Sequence, residues 1–394
     1  MSTPAETGRP TRVAIVGCGI IGKHHATVIS RHPAFVVTGL VDPLPEAVEG
    51  ARRVLADAGA PEPVVYDSIA AACDSGEVDL AVLCTPSGMH TEQATEVLDH
   101  GRHVVIEKPL DVTAERGRVF AERARAATEN GQLVSVISQH RFDPANAAIA
   151  AGAHGGGFGT LTSALASMAW YRSQGYYDQG DWRGTWAWDG GGAVMNQCVH
   201  TVDLLRWFLG RPEEISAFTG RLAHERIEVE DTAVAVIRFE GGALATLHAT
   251  TAAFPGLRTR IQVHGTQGSA IVDEDRLEYF FAAPDADEFG THGFSAHSGV
   301  KVENQAAEQV PVEQLASSPK PAENFIEGHY RQYDDLADAL ATGRAPGVTV
   351  DEALLSLALV RSLYVSATLG QPVRFEDVLA GKHDDVMAEK GGVA

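Results

Sequence analysis

Apolar positions along the chain fall into two regimes that change over near residue 140. From Thr11 to about Gln139, short β-branched runs at 12–16, 35–41, 80–84, 103–107 and 133–137 alternate with helical patterns at Pro45 to Ala58, Met89 to Asp99 and Ala114 to Asn130. Runs that are apolar throughout and separated by helices predict a parallel sheet covered on both faces. Beyond Gln139 the pattern predicts a helix, an aromatic loop, another helix, and then strands without intervening helices. These run from Ile215 to Gly220, Ala233 to Phe239, Ala243 to Thr250, Arg260 to His264, Ser269 to Val272 and Leu277 to Phe281. Such close spacing predicts a largely antiparallel sheet and an α+β domain. Pro284 to Asn324 reads as an extended arm, followed by helices at Ala322 to Thr342 and Asp351 to Thr368. The expected division is a disordered tail at 1–11, a nucleotide domain at 12–140, a substrate-binding domain at 141–380 and a tail at 381–394, with the late helices able to pack back on the first domain.

Composition narrows the function. The 394 residues carry 31 Lys and Arg against 52 Asp and Glu, a net charge of −21, which argues against a nucleic-acid partner. No apolar run approaches the roughly 18 residues of a membrane span, and the first ten residues lack the apolar core of a secretion signal. The protein is expected in the cytoplasm. Cys18, Cys73, Cys84 and Cys198 are far apart, so neither a disulfide framework nor a zinc site is expected.

Chemistry enters directly after the first strand, where Gly17-Cys18-Gly19-Ile20-Ile21-Gly22 forms a GxGxxG that opens a helix. Asp42 follows at the end of the second strand, 20 residues beyond the last glycine. Strand, glycine turn, helix and distal acid together make a dinucleotide-binding fingerprint. The carboxylate of Asp42 suits a ribose diol and repels a 2′-phosphate, so NAD is expected over NADP, although Arg52 and Arg53 lie on the next helix.

Strand five ends in Glu107-Lys108-Pro109. Ligands bind outside the carboxyl ends of such strands, and a lysine there can stabilise a developing alkoxide and relay its proton. By itself the tripeptide also suits a surface lysine. Later, Gly190-Gly191-Gly192 feeds an amphipathic helix in which Asn196 and His200 are four residues apart and so share a face, with Asp203 three further on to orient the imidazole. In isolation His200 equally fits a satisfied core histidine.

Taken together, the GCGIIGKHH turn, CTPSGMH after strand four, EKP, QHRF at 139–142, the triple-glycine helix and the late EGHYRQYDDLADAL segment resemble the Gfo/Idh/MocA oxidoreductases (glucose-fructose oxidoreductase and inositol dehydrogenase-like) over nearly the whole chain. The resemblance implies a Rossmann domain followed by a domain with a large open sheet, and a homodimer or homotetramer formed through that sheet. It implies NAD(P)-dependent oxidation of a secondary hydroxyl on a sugar, sugar derivative or cyclitol, with Lys108 and His200 as the catalytic pair and a cis Lys108-Pro109 bond. It extends the cofactor site of Gly17, Gly19, Ile20, Ile21, Gly22, Asp42 and Lys108 to Thr85, Pro86, His90, Glu107, Gln139, Trp182 and Arg183. Many members carry aspartate where this chain has Asn196, so an Asp-His dyad is unavailable. The chain shares that asparagine with the levoglucosan-type and nucleotide-sugar dehydrogenases, which it looks most like. A catalytically silent NAD-binding regulator and an NAD-dependent glycosidase of related fold are the alternatives.

Four of the five tryptophans fall between Trp170 and Trp188 in a polar, glycine-rich stretch. Aromatic faces suit the C–H face of a pyranose, so this segment is expected to wall the pocket. Tyr171, Arg172 and Tyr177 are assigned to substrate along with Asn196 and Asp203, while Asp181 and Arg183 are candidates for hydroxyls or phosphates. His329 is a further pocket candidate, with helix capping as its other reading, and no metal ligand is assigned.

Overall fold

The computed structural model describes residues 8–180, 182–283, 303–319 and 324–388. The expected tail at 1–7, most of the arm after Pro284, Asp181 and the last six residues lie outside them. The described residues form two units: one drawn from Met1–Gln139, Thr185–Gly190 and Ala322–Leu357, the other from His140–Gly184, Gly191–Pro321 and Ala358–Ala394.

The first unit is built on six parallel strands: β1 (Thr11–Val16), β2 (Phe35–Val41), β3 (Val64–Val65), β4 (Leu80–Leu83), β5 (His103–Ile106) and β6 (Val134–Val136), in the order β3-β2-β1-β4-β5-β6. Chain order reverses between β1 and β4, and a crevice opens there outside the strand ends. Val13, Ile15, Leu80, Val82, Val104 and Val105 are completely buried, as strands covered on both faces must be. Two-residue β3 is too short and exposed to carry a hydrophobic signal.

The second unit carries β7 (Leu161–Ala169), β8 (Pro212–Gly220), β9 (Thr232–Phe239), β10 (Leu244–Thr250), β11 (Thr259–Gly265), β12 (Gly268–Asp273), β13 (Arg276–Ala282) and β14 (Val373–Arg374), in the order β13-β12-β11-β7-β10-β9-β8-β14. Every pairing is antiparallel except β7 with β10. The sequence reading missed β7, which takes a central place in the sheet. Helix Val350–Leu369 corrects the reading of the apolar runs: by length and composition it could cross a membrane, yet Leu357 to Val360 and Leu363 to Val365 are buried as core. The four cysteines are free and buried.

Candidate active site

The glycine turn follows β1, with the backbone N–H of Gly17 donating to the carbonyl of Val41 at 2.8 Å. Gly17 has φ +90°, and a Cβ there would press on the Cys84 backbone, while a Cβ on Gly22 would overlap the Gly17 carbonyl. Both positions therefore demand glycine. At Gly19 a Cβ would meet nothing, so open space lies at the amino end of helix Ile20–Ser30, where backbone and helix dipole favour a pyrophosphate. Ile20 beside it is 73% exposed, an apolar surface that a bound dinucleotide would cover. Asp42 uses one lone pair on each oxygen to hold the loop: Oδ2 accepts from Cys18 N at 2.7 Å and Oδ1 from Leu44 N at 2.8 Å. Each oxygen keeps a second lone pair for a ribose hydroxyl. These residues fit NAD.

On the same sheet, Lys108 is half-buried and stands immediately beyond β5. Its N–H donates to Glu107 Oε2 at 2.9 Å, and its bond to Pro109 is cis. His90 holds the next peptide: its Nδ1 lies 2.8 Å from the Pro109 carbonyl and its Nε2 2.9 Å from that of Thr85. Burial lowers the pKa of this histidine despite the two carbonyls. Both nitrogens of His90 thus lie against backbone carbonyls, and Glu107 Oε1 lies 2.9 Å from His25 Nε2. These are the groups that set Lys108, reached through motif likeness rather than through their partners. Thr85 donates from Oγ1 to Gln93 Oε1 at 2.6 Å, Pro86 precedes the short turn Ser87–Met89, and Gln139 is buried.

In the second unit, the triple glycine does not lead straight into an α-helix. Residues Ala193–Gln197 form a π-turn, closed by Cys198 N donating to the Ala193 carbonyl at 2.9 Å, and the α-helix runs over Val199–Leu209. Asn196 therefore lies in the wider turn and His200 in the first turn of the α-helix that follows it. The turn is held by Glu230, which accepts from Gly192 N and Val194 N at 2.9 Å and from the Tyr364 hydroxyl at 2.9 Å. Burial pushes the Glu230 carboxyl up to about 7 against those donors. Side chains at Gly191 and Gly192 would collide with Tyr364 and the Glu230 carbonyl. Glu230 escaped the sequence reading because it lies 38 residues from Gly192.

Asp203 accepts from Arg141 Nε at 2.7 Å and Nη2 at 2.6 Å, a buried bidentate pair. The His200 ring lies against that of His140, 4.6 Å away and nearly perpendicular. Burial alone would lower the pKa of His140, but the Asp275 and Asp143 carboxylates at 2.9 and 3.2 Å raise it to about 10. Asp275 and Glu274 reach this turn with left-handed backbone angles, φ +66° and +49°.

The aromatic segment divides. Tyr177 is buried, its hydroxyl 3.0 Å from Thr251 Oγ1 and its ring against His224. Tyr171 is 43% exposed. Arg172 donates to Gln197 Oε1 at 3.0 Å and lies over the rings of Trp170 and Tyr176, and Arg183 lies over Trp182 and Tyr176.

A glycine cradle, an acid at the second strand end and a lysine at the fifth define a dinucleotide-dependent oxidoreductase. Comparison with known proteins agrees: residues 11–140 match the oxidoreductase family with an NAD-binding Rossmann fold, and residues 145–271 match the GFO/IDH/MocA C-terminal domain. The chain belongs to the Gfo/Idh/MocA family. It is 32% identical to the WlbA dehydrogenase of Bordetella pertussis, solved with NADH and UDP-GlcNAcA, over 93% of this chain and 98% of that one, with a TM-score of 0.76. The NAD(+)-dependent scyllo-inositol 2-dehydrogenase of Bacillus subtilis is 23% identical over 93% of this chain and 96% of its own. Levoglucosan dehydrogenase of Pseudarthrobacter phenanthrenivorans is 24% identical over 71% and 78%.

Proposed function

We propose that this protein is an NAD-dependent dehydrogenase that oxidises a secondary hydroxyl of a sugar, sugar derivative or cyclitol, with a pyranoside ring favoured. The observation that carries the reading is the delivery of Lys108 at the end of β5, on the same strand edge as the glycine cradle and Asp42. NAD supplies the hydride acceptor when bound. The chain's own task is the proton: as the carbon gives up hydride, the hydroxyl oxygen must shed H⁺. Lys108 is assigned to stabilise that oxygen, and His200, with Lys108, to carry the proton away. Asn196 hydrogen-bonds the hydroxyl but has no basic atom to accept its proton. The His140 ring, whose pKa Asp275 and Asp143 raise, lies against that of His200. Arg172 and Arg183 with their aromatic neighbours supply polar and planar contacts suited to a sugar. The test is a panel of free sugars, inositols, glycosides, sugar acids and nucleotide-linked sugars assayed for NADH formation. Absence of turnover on every class would sink the reading.

Cofactor choice rests on Asp42. Wild-type protein is expected to bind NAD more tightly than NADP, and Asp42→Ala to narrow the difference by removing both the diol acceptor and the charge that repels a 2′-phosphate. Titration of both nucleotides by fluorescence checks this, and tighter wild-type binding of NADP would overturn it. We also assign a homodimer or homotetramer to the open sheet, supported by Leu165, Phe218, Val234 and Val236, each at least 47% exposed on its strands. Phe218 pairs with Val234 across β8 and β9, an apolar patch that a second copy would cover. Sedimentation as a monomer would contradict this.

A further inference from the structure

Behind Lys108, three residues from distant segments converge inside the first unit: His25 in the helix after the glycine turn, Glu107 at the end of β5, and His329 in helix Asn324–Thr342. They are 0%, 4% and 1% exposed. His25 Nε2 lies 2.9 Å and His329 Nε2 3.7 Å from the same oxygen, Glu107 Oε1, and all three donor atoms fall within 4.8 Å of one another.

His329 makes the cluster more than a packing accident. Its Nδ1 lies 3.1 Å from the Phe325 carbonyl, which only accepts, so the ring proton belongs on Nδ1. Nε2 of the neutral ring then points a bare lone pair at a carboxylate oxygen, and this buried nitrogen has no hydrogen-bond partner. Two electron-rich atoms facing each other out of reach of water need a positive charge between them.

The outer atoms complete the pattern. His25 Nδ1 lies 2.9 Å from the Tyr333 hydroxyl, His329 Nδ1 lies 3.1 Å from His24 Nε2, and Glu107 Oε2 accepts from Lys108 N. Each group thus turns one atom inward while its other atom is tied by a neighbour, the arrangement that orients metal ligands. We propose that His25, Glu107 and His329 form a binding site for a divalent transition-metal ion of the zinc class, with one coordination position left for water. Two imidazoles and one carboxylate are a zinc donor set, and bonds of about 2.0–2.2 Å place tetrahedral ligand atoms roughly 3.3–3.6 Å apart, between the two separations found here. The ion would clamp the helix after the cofactor turn, the strand end bearing Lys108 and helix Asn324–Thr342 together. The sequence reading assigned no metal because it looked to cysteine spacing, whereas these ligands come from positions 82 and 222 residues apart.

The test uses the full chain, stripped with chelator and titrated with Co²⁺, whose visible absorption reports nitrogen and oxygen ligation, followed by displacement with Zn²⁺. Saturation at one ion per chain is expected, with loss of the absorption in His329→Ala. Tyr333→Phe, a milder change in the outer ring of contacts, should weaken Co²⁺ binding by about 10- to 100-fold. No saturable absorption in the wild type, or equal absorption in His329→Ala, would overturn the proposal. If His329→Ala does not fold, Tyr333→Phe decides, and unchanged affinity there also overturns it.

Discussion

Lys108→Ala and His200→Ala are each expected to slow turnover by roughly 10² to 10⁴, the range for losing a general acid or base. Asn196→Ala should cost far less, since an amide contributes one or two neutral hydrogen bonds worth on the order of 1 kcal/mol each, about five- to tenfold. NADH affinity should stay nearly constant in all three variants, because the glycine turn and Asp42 are untouched. A fluorescence titration therefore separates lost chemistry from lost cofactor. Near-normal turnover in both Lys108→Ala and His200→Ala on a verified substrate would remove the catalytic assignment. A wild type that binds NADH yet oxidises nothing in the panel would instead favour the silent regulator.

The parts of this molecule that the sequence made legible are those whose signal is local. Strands β1, β2, β4 and β5 could be read because both their faces are buried, leaving continuous apolar runs between helical patterns. The glycine turn could be read because backbone approach excludes every other residue at Gly17 and Gly22. Strand β7 was illegible for the opposite reason. Its inward residues are Ala164, Ala166 and Met168, mostly small, while the outward Leu165 is apolar, so the alternation has little amplitude. Its place in the sheet is set by β10 and β11, roughly 80 to 100 residues away.

Site residues divide along the same line. Motif likeness singled out Glu107 and His90, but only their partners, His25 and the carbonyls of Thr85 and Pro109, show that they hold Lys108 in place. Glu230 lacked a motif altogether. It became visible only when the fold brought it under the triple-glycine turn, where its carboxylate accepts three hydrogen bonds.

Asp203→Ala is expected to destabilise the protein by about 3–5 kcal/mol, the cost of leaving one member of a buried ion pair without the other. Arg141 and Asp203 are each 5% exposed and joined by two charge-assisted hydrogen bonds, so the alanine would strand a guanidinium away from water. Arg206 cannot substitute, being itself cationic and 4.0 Å from the same carboxylate. The pairing also predicts an asymmetry. Asp203→Asn keeps the shape and one oxygen acceptor, but its amide nitrogen would face a guanidinium donor, so it should recover only part of the loss. The double variant Arg141→Met/Asp203→Leu, which removes both charges, should be more stable than Asp203→Ala. Chemical denaturation of the four proteins measures the differences. If Asp203 served chiefly to orient the His200 imidazole, Asp203→Ala would instead leave the denaturation midpoint nearly unchanged while lowering turnover, and that outcome would refute the structural role of the pair.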